Sequence, residues 1–387
     1  MSEHRPRLCF IVNPSIGLLV LFRKQWSYWL RQGYEVVGVA GPGPEHEIVR
    51  EMGVKTHIIP MERYPSPLKD LLSLMRLFWF LLWHRFDIVH VSTPKAGFLG
   101  AIAARLSGHK RLIYTLRGQP YAQMTGWRRR LMNACEWLVC NLSCKVIPIC
   151  HELGRAVVRD GLCPARKVHV IGSGSSNGID LDRFTRNEKN IRIGLEFRGK
   201  LGIGEGDLLI LFVGWLRREK GTNELVRSFA LLAKKHLNSH LLLLGNYEPS
   251  DPLDAEVVSL IENHERIHHM PWRPEPAPIY AAADILAFPS WREGFGNVVL
   301  EASAMELPVI ATRVMGCRES VEEGVTGLLV PRSDVKALKD GLERLLNDAA
   351  LREELGKKGR QRVEREFRQE IIWEGILKQY KELLSEK

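Results

Sequence analysis

ILAFPSWREGFGNVVLEASAM, residues 285 to 305, carries three elements in one line. The apolar run ILAFPS reads as a strand, WREGFG as a turn leaving its carboxyl end, and NVVLEASAM as a helix beginning directly after the turn. Strand, glycine turn and helix in that order form a piece of a parallel sheet wrapped by helices. The helix start leaves unpaired N–H groups and the positive end of the helix dipole beside the strand, which suits a phosphate. Gly294 and Gly296 let the backbone come close to a ligand. Glu301 lies about one turn inside the helix. A carboxylate there would repel a phosphate in contact with it, yet it can accept hydrogen bonds from a sugar diol just beyond. Glu293, in the loop, would take hydroxyls at the other end of the ligand. A phosphate flanked by two hydroxyl-bearing sugars describes a nucleotide-sugar. Either glutamate alone would read as solvated, but the full Glu-Gly-Phe-Gly-x4-Glu pattern at the end of a parallel strand reads as a site.

The same alternation runs along the chain. LLILFVG (208–214), LLLLG (241–245), RIHHM (266–270), ILAFPS (285–290), PVIAT (308–312) and GLLV (327–330) are short apolar runs separated by amphipathic stretches. Before them come LCFIVN, YEVVGVA, KTHIIP, DIVHV (87–91), RLIYTL (111–116), KVIPI (145–149) and KVHVI (167–171), with helices through FRKQWSYWLRQG and EHEIVREMG. The Gly/Ser/Asn stretch GSGSSNGIDLDRF (172–184) interrupts the series. At 387 residues the chain is long enough for two cores. The expected class is α/β: two doubly wound, Rossmann-like domains, 1–185 and 186–366, facing across a cleft at the carboxyl ends of their strands. The tail FRQEIIWEGILKQYKELLSEK, 367–387, reads as a final helix packing across the domain seam.

The formal charge of +10 is unevenly spread. Residues 1–186 hold 26 Lys and Arg against 13 Asp and Glu and the remainder 29 against 32, net charges of about +13 and about −3. The first half therefore seeks anions. It lacks the zinc-finger, RRM and KH signatures, so no nucleic-acid partner is expected, and an anionic membrane face or a phosphorylated acceptor fits better. Seven cysteines without a Cys-x-x-Cys pair read as reduced thiols, and the start MSEHRPRLCFIVNP lacks the apolar core of a signal peptide. A cytoplasmic protein is expected. LKDLLSLMRLFWFLLWHRF (68–86) is interrupted by Lys69, Asp70, Arg76, His84 and Arg85 and is not read as crossing a bilayer. Two readings of it stand: a buried helix of the first domain, or one whose Trp79 and Trp83 face touches a membrane interface.

At the Glu-x7-Glu pair the chain resembles the family 4 glycosyltransferases, retaining enzymes of the GT-B fold, and the likeness extends over nearly the whole chain. VGWLRREKGTNELV (213–226) resembles their phosphate-binding turn, ADILAFPSWREGFGNVVLEASA their donor site, and GVTGLLVP (324–331) the strand that follows. GPGPE (41–45), PMERYPSPLKDL (60–71), STPKAGFLGAIAARL (92–106), IYTLRGQPY (113–121) and GSGSSNGIDLDRF resemble the branch related to capsular polysaccharide and lipid-linked oligosaccharide transferases. That branch extends glycans on polyprenyl pyrophosphate at the inner face of the plasma membrane. The resemblance implies that Glu301 binds the ribose, that Glu293 and the backbone of Phe295 and Gly296 hold the transferred hexose, and that the amides of Asn297 and Val298 meet the pyrophosphate. It implies that Lys220 stabilises the departing nucleoside diphosphate and that Trp272 and Arg273 lie at the nucleobase.

Two positions depart from the family pattern. Trp215 stands where the family has an arginine that contacts the diphosphate, and either Arg217 or Arg218 is expected to replace that charge. Arg117 stands where many relatives have a histidine, and it reads either as an anion contact or as a surface arginine. Lys95, opening the helix after DIVHV, marks a second phosphate site on the acceptor side, with Asn13 and Ser15 in the loop after the first strand.

The reading is a retaining transferase moving a sugar, expected to be UDP-linked, from its nucleotide to a polyprenyl-diphosphate-linked saccharide. No cofactor or metal is expected; Asp180 and Asp182 have the metal-binding Asp-x-Asp spacing but read as turn residues. The rival is a nucleotide-sugar epimerase of the same fold, which would need an acid and a base around the sugar. A non-catalytic sugar-nucleotide sensor would have no need of Glu293, Lys220 and Glu301 together.

Overall fold

The computed structural model describes residues 5–22, 24–62, 65–119 and 124–385. The chain forms two compact units, one running up to Asn177 and resuming from Glu370, the other spanning Gly178–Gln369.

In the first unit six parallel strands, β1 (Arg7–Ile11), β2 (Glu35–Ala40), β3 (Lys55–Ile58), β4 (Ile88–Ser92), β5 (Leu112–Leu116) and β6 (Lys145–Pro148), lie in the order β3-β2-β1-β4-β5-β6. The second unit repeats the plan with β7 (Leu208–Val213), β8 (Ser239–Leu244), β9 (Ile267–Met270), β10 (Ile285–Phe288), β11 (Val309–Thr312) and β12 (Gly327–Val330), ordered β12-β11-β10-β7-β8-β9. Parallel sheets covered by helices on both faces need continuous apolar strands, and β1, β4, β7 and β8 are buried almost throughout. In each sheet the winding reverses once, between β1 and β4 and between β7 and β10. Loops leaving the carboxyl ends of those strands diverge there and open a crevice.

KVHVI is not a strand. Residues 165–167 form a 3-10 turn, and Val168 makes a single bridge to Val146 at the sheet edge. Val168 and Val170 instead meet the helix His151–Arg159 at Gly154, whose missing Cβ would stand 3.1 and 3.4 Å from them. Helix contact, not sheet pairing, takes up that apolar alternation. FRKQWSYWLRQG likewise contributes only the helix Gln25–Arg31, a separate short helix spanning Ile16–Val20.

The division at Asn177 falls inside the Gly/Ser/Asn stretch but before residue 185, and the chain returns to the first unit at 370. Just on the second unit's side of both passages, Ile179 and Arg368 pair in parallel, with Ile179 N–H donating to Phe367 O at 2.7 Å. The final helix, Gln369–Ser385, belongs to the first unit's core from Glu370 onward. Ile372, Trp373, Ile376, Tyr380 and Leu383 repeat at helical spacing and pack with Phe10, Trp26 and Trp29. Each such side chain, fully buried, contributes roughly 1.5–3 kcal/mol. Tyr380 also bonds His90 through its hydroxyl, and Thr115 lies 2.6 Å from the other ring nitrogen. Burial holds the His90 ring neutral, its pKa pushed down to about 3.

Candidate active site

The site of the second unit grows from the crevice between β7 and β10. After β7 the chain turns through Gly214 (φ +152°) and a single 3-10 turn, Arg218–Lys220, to Gly221 (φ +72°), which caps the helix Thr222–Leu232. A Cβ on Gly221 would stand 2.0 Å from the carbonyl oxygen of Pro289, just beyond β10, so glycine is what allows the two loops to touch. That contact brings Lys220 to Glu293, whose carboxylate it pairs with, both side chains less than one-fifth exposed. The Lys220 ammonium also lies 5.6 Å from the centre of the Phe288 ring.

Beyond Glu293 the turn tightens at Gly296 (φ +79°) and the helix Asn297–Ala304 begins. Phe295 is buried and packs on Phe367, while Gly316 allows its loop to lie against Gly294 and Phe295, with 2.8 Å left for a Cβ. The N–H groups of Asn297 and Val298 have no hydrogen-bond partner among the described residues, and the buried Oδ1 of Asn297 has none either. This helix start can accept an anion.

Glu301, a turn further in, accepts a hydrogen bond from the buried Tyr280 hydroxyl at 2.7 Å. Burial raises its pKa above the ordinary glutamate range, and the Tyr280 hydrogen bond and the Arg183 charge pull back against that rise. Tyr280 was missed in the sequence because it lies in another helix, Ala277–Ala282, whose apolar pattern explains it as core.

The arginines separate. Arg218 is half exposed and pairs with Asp254 at 2.8 Å. Arg217 pairs with Glu219 at 3.0 Å and keeps a buried Nε without a partner. Glu219 also pairs with Arg292 at 2.7 Å, and its carbonyl accepts from Trp291 N–H at 2.9 Å, fastening the donor loop to the turn after β7. Trp291 Nε1 donates to the buried Glu224 at 3.1 Å; burial raises that carboxyl's pKa. Neither Glu219 nor Glu224 announced these roles in sequence. Trp215 is exposed; Trp272 is exposed too, its N–H held by Asn246 at 3.1 Å, and Arg273 is exposed beside it.

In the first unit Asn13 and Ser15 follow β1 and are buried. Lys95 opens the helix Pro94–Leu106 and pairs with Asp70 at 2.7 Å. Arg117 is no surface arginine: its Nε donates to Ser92 at 2.6 Å, a second nitrogen to Ser176, and burial pushes its pKa down to about 10. Asp180 caps a turn, accepting from Arg183 N–H at 3.3 Å.

Two doubly wound units, one with a Lys–Glu pair beside an open helix start, define the architecture of GT-B glycosyltransferases. Residues 195–362 match the model described as glycosyl transferases group 1, and residues 16–174 the glycosyl transferase 4-like domain. The capsular polysaccharide biosynthesis glycosyltransferase CapM of Staphylococcus aureus is 32% identical over 97% of this chain and 96% of its own. An Escherichia coli UDP-Gal:alpha-D-GlcNAc-diphosphoundecaprenol alpha-1,3-galactosyltransferase is 26% identical over 77% of this chain and 76% of its own. Among solved structures, Anabaena HepE in complex with UDP-glucose superposes with a TM-score of 0.79 at 19% identity, covering 97% and 99% of the two chains. The chain belongs to the group 1, or family 4-like, glycosyltransferases and is an enzyme of that class.

Proposed function

We propose that the enzyme transfers a sugar, with retention, from a UDP-sugar to a saccharide carried on polyprenyl diphosphate. The observation that carries the donor half is the Lys220–Glu293 pair beside the unpartnered N–H groups of Asn297 and Val298. Diphosphate oxygens would take those N–H groups and compete with Glu293 for Lys220, while Glu301 takes the ribose hydroxyls and Trp272 and Arg273 flank the base. Arg217, with its spare Nε, replaces the charge missing at Trp215. As the bond to the anomeric carbon breaks, charge builds on the leaving phosphate oxygen, and stabilising it is a large part of the acceleration. The acceptor hydroxyl attacks from the leaving-group side and gives its proton to that phosphate. The two relatives, one named for capsule synthesis and one for a diphosphoundecaprenol-linked acceptor, support the acceptor half. So do Arg117 and Lys95, cations at the carboxyl ends of the first unit's strands. Thermal shift against UDP- and GDP-sugars tests the donor, since a bound ligand stabilises by mass action. Transfer to a lipid-linked saccharide tests the acceptor, and stabilisation by GDP-sugars alone would overturn the UDP assignment.

The lipid-bearing acceptor calls for a surface facing the membrane. Among the described residues no helix is long and apolar enough to cross one. The helix Pro67–Trp83 exposes Leu68, Leu71, Leu72, Met75, Trp79 and Trp83, so the segment is an outer helix and not a wholly buried one. The helix Gly126–Leu142 exposes Trp127, Leu131 and Trp137 together with Arg128, Arg129 and Arg130, and the helix Pro94–Leu106 packs against both. Exposed tryptophans with exposed arginines beside them match an anionic lipid interface at the inner side of the plasma membrane.

A further inference from the structure

The donor loop that leaves β10 is held in two places. Its later half, from Gly294 to the helix start at Asn297, is fixed by Phe295, 2% exposed and packed on Phe367, and by the close passage of Gly316. Its earlier half, from Ser290 to Glu293, is tied by hydrogen bonds. Ser290 is fully buried; its carbonyl accepts from the Thr312 hydroxyl, and its own Oγ donates to Arg292 O at 3.0 Å. Trp291 is held twice, by its N–H donating to Glu219 O at 2.9 Å and by its Nε1 donating to a carboxylate oxygen of Glu224 at 3.1 Å.

Glu224 belongs to the helix Thr222–Leu232, whose Leu225, Val226 and Phe229 lie in the second unit's core, so its carboxylate stands on a rigid element. It follows Lys220 by four residues, with Gly221 between them at the close approach to Pro289. Lys220 reaches Glu293, and Glu224 reaches Trp291, two positions earlier in the same loop. Two side chains from one short stretch thus flank the segment that presents Glu293. Glu224 is 8% exposed, and among the described residues no other gives a hydrogen bond to its Oε2. A buried oxygen left that way costs stability. An indole N–H that needed only some acceptor could take a backbone carbonyl, whereas an ionised carboxyl makes the stronger, charge-assisted bond and holds the ring more firmly.

We infer that Glu224 is a positioning residue for the hexose half of the donor: through Trp291 it sets the place of Glu293, while the N–H groups of Asn297 and Val298 are placed by the separate anchor at Phe295. The inference rests on the function proposed above, in which Glu293 takes the hexose and the helix start takes the diphosphate. Loosening the Glu224–Trp291 bond therefore weakens the hold on the sugar and spares the hold on the nucleotide. A residue that served the fold alone would weaken both together or neither.

Calorimetric titration of the full chain with UDP, UDP-glucose, UDP-galactose and UDP-N-acetylglucosamine, and with GDP, GDP-glucose and GDP-mannose, tests it. The hexose contribution is read as the Kd of the nucleoside diphosphate divided by that of its sugar conjugate, for the conjugate that the wild type binds most tightly. Glu224→Ala and Trp291→Phe, which removes the N–H and keeps a ring, are each expected to lower this ratio about three- to tenfold and to leave the Kd of the nucleoside diphosphate within about twofold. That unchanged Kd also reports that the variants are folded. The double variant is expected to lose no more than the larger single loss, because both substitutions remove one hydrogen bond. Glu224→Gln, which keeps an acceptor without the charge, is expected to fall between alanine and the wild type. A ratio unchanged in both single variants, a glutamine variant no better than alanine, additive losses, or equal losses of nucleotide and nucleotide-sugar affinity overturn the inference. Glu293→Ala separates it from the reading on which it rests. A ratio lowered by Glu293→Ala alone sinks the role of Glu224 and keeps the hexose at Glu293. A ratio lowered by Glu224→Ala and Trp291→Phe but not by Glu293→Ala keeps Glu224 as a positioning residue and sinks the hexose role of Glu293. Binding of none of these nucleotide-sugars overturns both.

Discussion

Glu301 joins burial to ligand chemistry most directly. Its carboxyl holds its proton to a higher pH than an exposed glutamate, because burial outweighs the Tyr280 hydrogen bond and the Arg183 charge. Folding linkage follows with a definite sign: stability falls as pH rises from the unfolded pKa through the raised folded one, because the folded state binds more protons in that window. Binding runs the other way, since ribose hydroxyls need the ionised carboxylate. UDP affinity in the wild type is therefore expected to exceed that of Glu301→Gln most at about pH 8 and least at about pH 5. Calorimetric titration of both proteins across that range checks it, and the ratio cancels the titration of UDP itself. A ratio that does not change with pH would remove Glu301 from the ribose. Glu301→Ala is expected to weaken UDP by about 10- to 100-fold, the worth of hydrogen bonds to a charged group. Glu293→Ala is expected to lower kcat more than UDP affinity, because it also strips Lys220 of its partner.

At the scale of elements, the donor site depends on two loops meeting at Gly221. Substituting alanine places a methyl group 2.0 Å from the Pro289 carbonyl oxygen in a backbone conformation that costs any other residue energy. Gly221→Ala is expected to destabilise by about 2–4 kcal/mol and to lower donor affinity, as the loops part and Lys220 leaves Glu293. Denaturant unfolding and UDP titration of the same sample check this; lost stability with unchanged UDP affinity would mean that the loop contact does not position the donor. All twelve observed strands begin or end within two residues of their apolar runs in the sequence because a strand inside a parallel sheet has little choice of composition. KVHVI had that composition too and became a helix-facing segment, since an apolar alternation does not record whether its partner is a strand or the helix at Gly154.

For the whole molecule, the basic first half and its exposed tryptophans lead to a measurable property. Flotation with anionic liposomes at low ionic strength is expected to recover most of the protein, and recovery should fall as salt screens the surface charges. Neutral liposomes should recover less at either ionic strength. Equal recovery in all four conditions would sink the electrostatic part, and no recovery in any would sink the membrane surface itself. Turnover is also expected to survive exhaustive EDTA treatment, with protein cations and helix-start N–H groups offsetting the diphosphate charge. Activity lost to EDTA and restored by Mg²⁺ or Mn²⁺ would overturn that, and the same loss in Asp182→Asn would locate the metal.

The sequence by itself determined the two parallel sheets, the break between them and the line from Glu293 to Glu301, because buried strands, glycine turns and helix starts each impose local composition. It also singled out Lys220, seventy-three positions from the Glu293 it pairs with, through a turn motif of its own. Only the tertiary structure decided which charges meet: Arg218 and Asp254, Arg217 and Arg292 with Glu219, Lys95 and Asp70. It alone placed the last helix in the first core and set Tyr280 against Glu301. Hydrogen-bond satisfaction is a property of neighbours in space, and no local composition records which of two charged side chains, dozens of residues apart, will have neutralised the other.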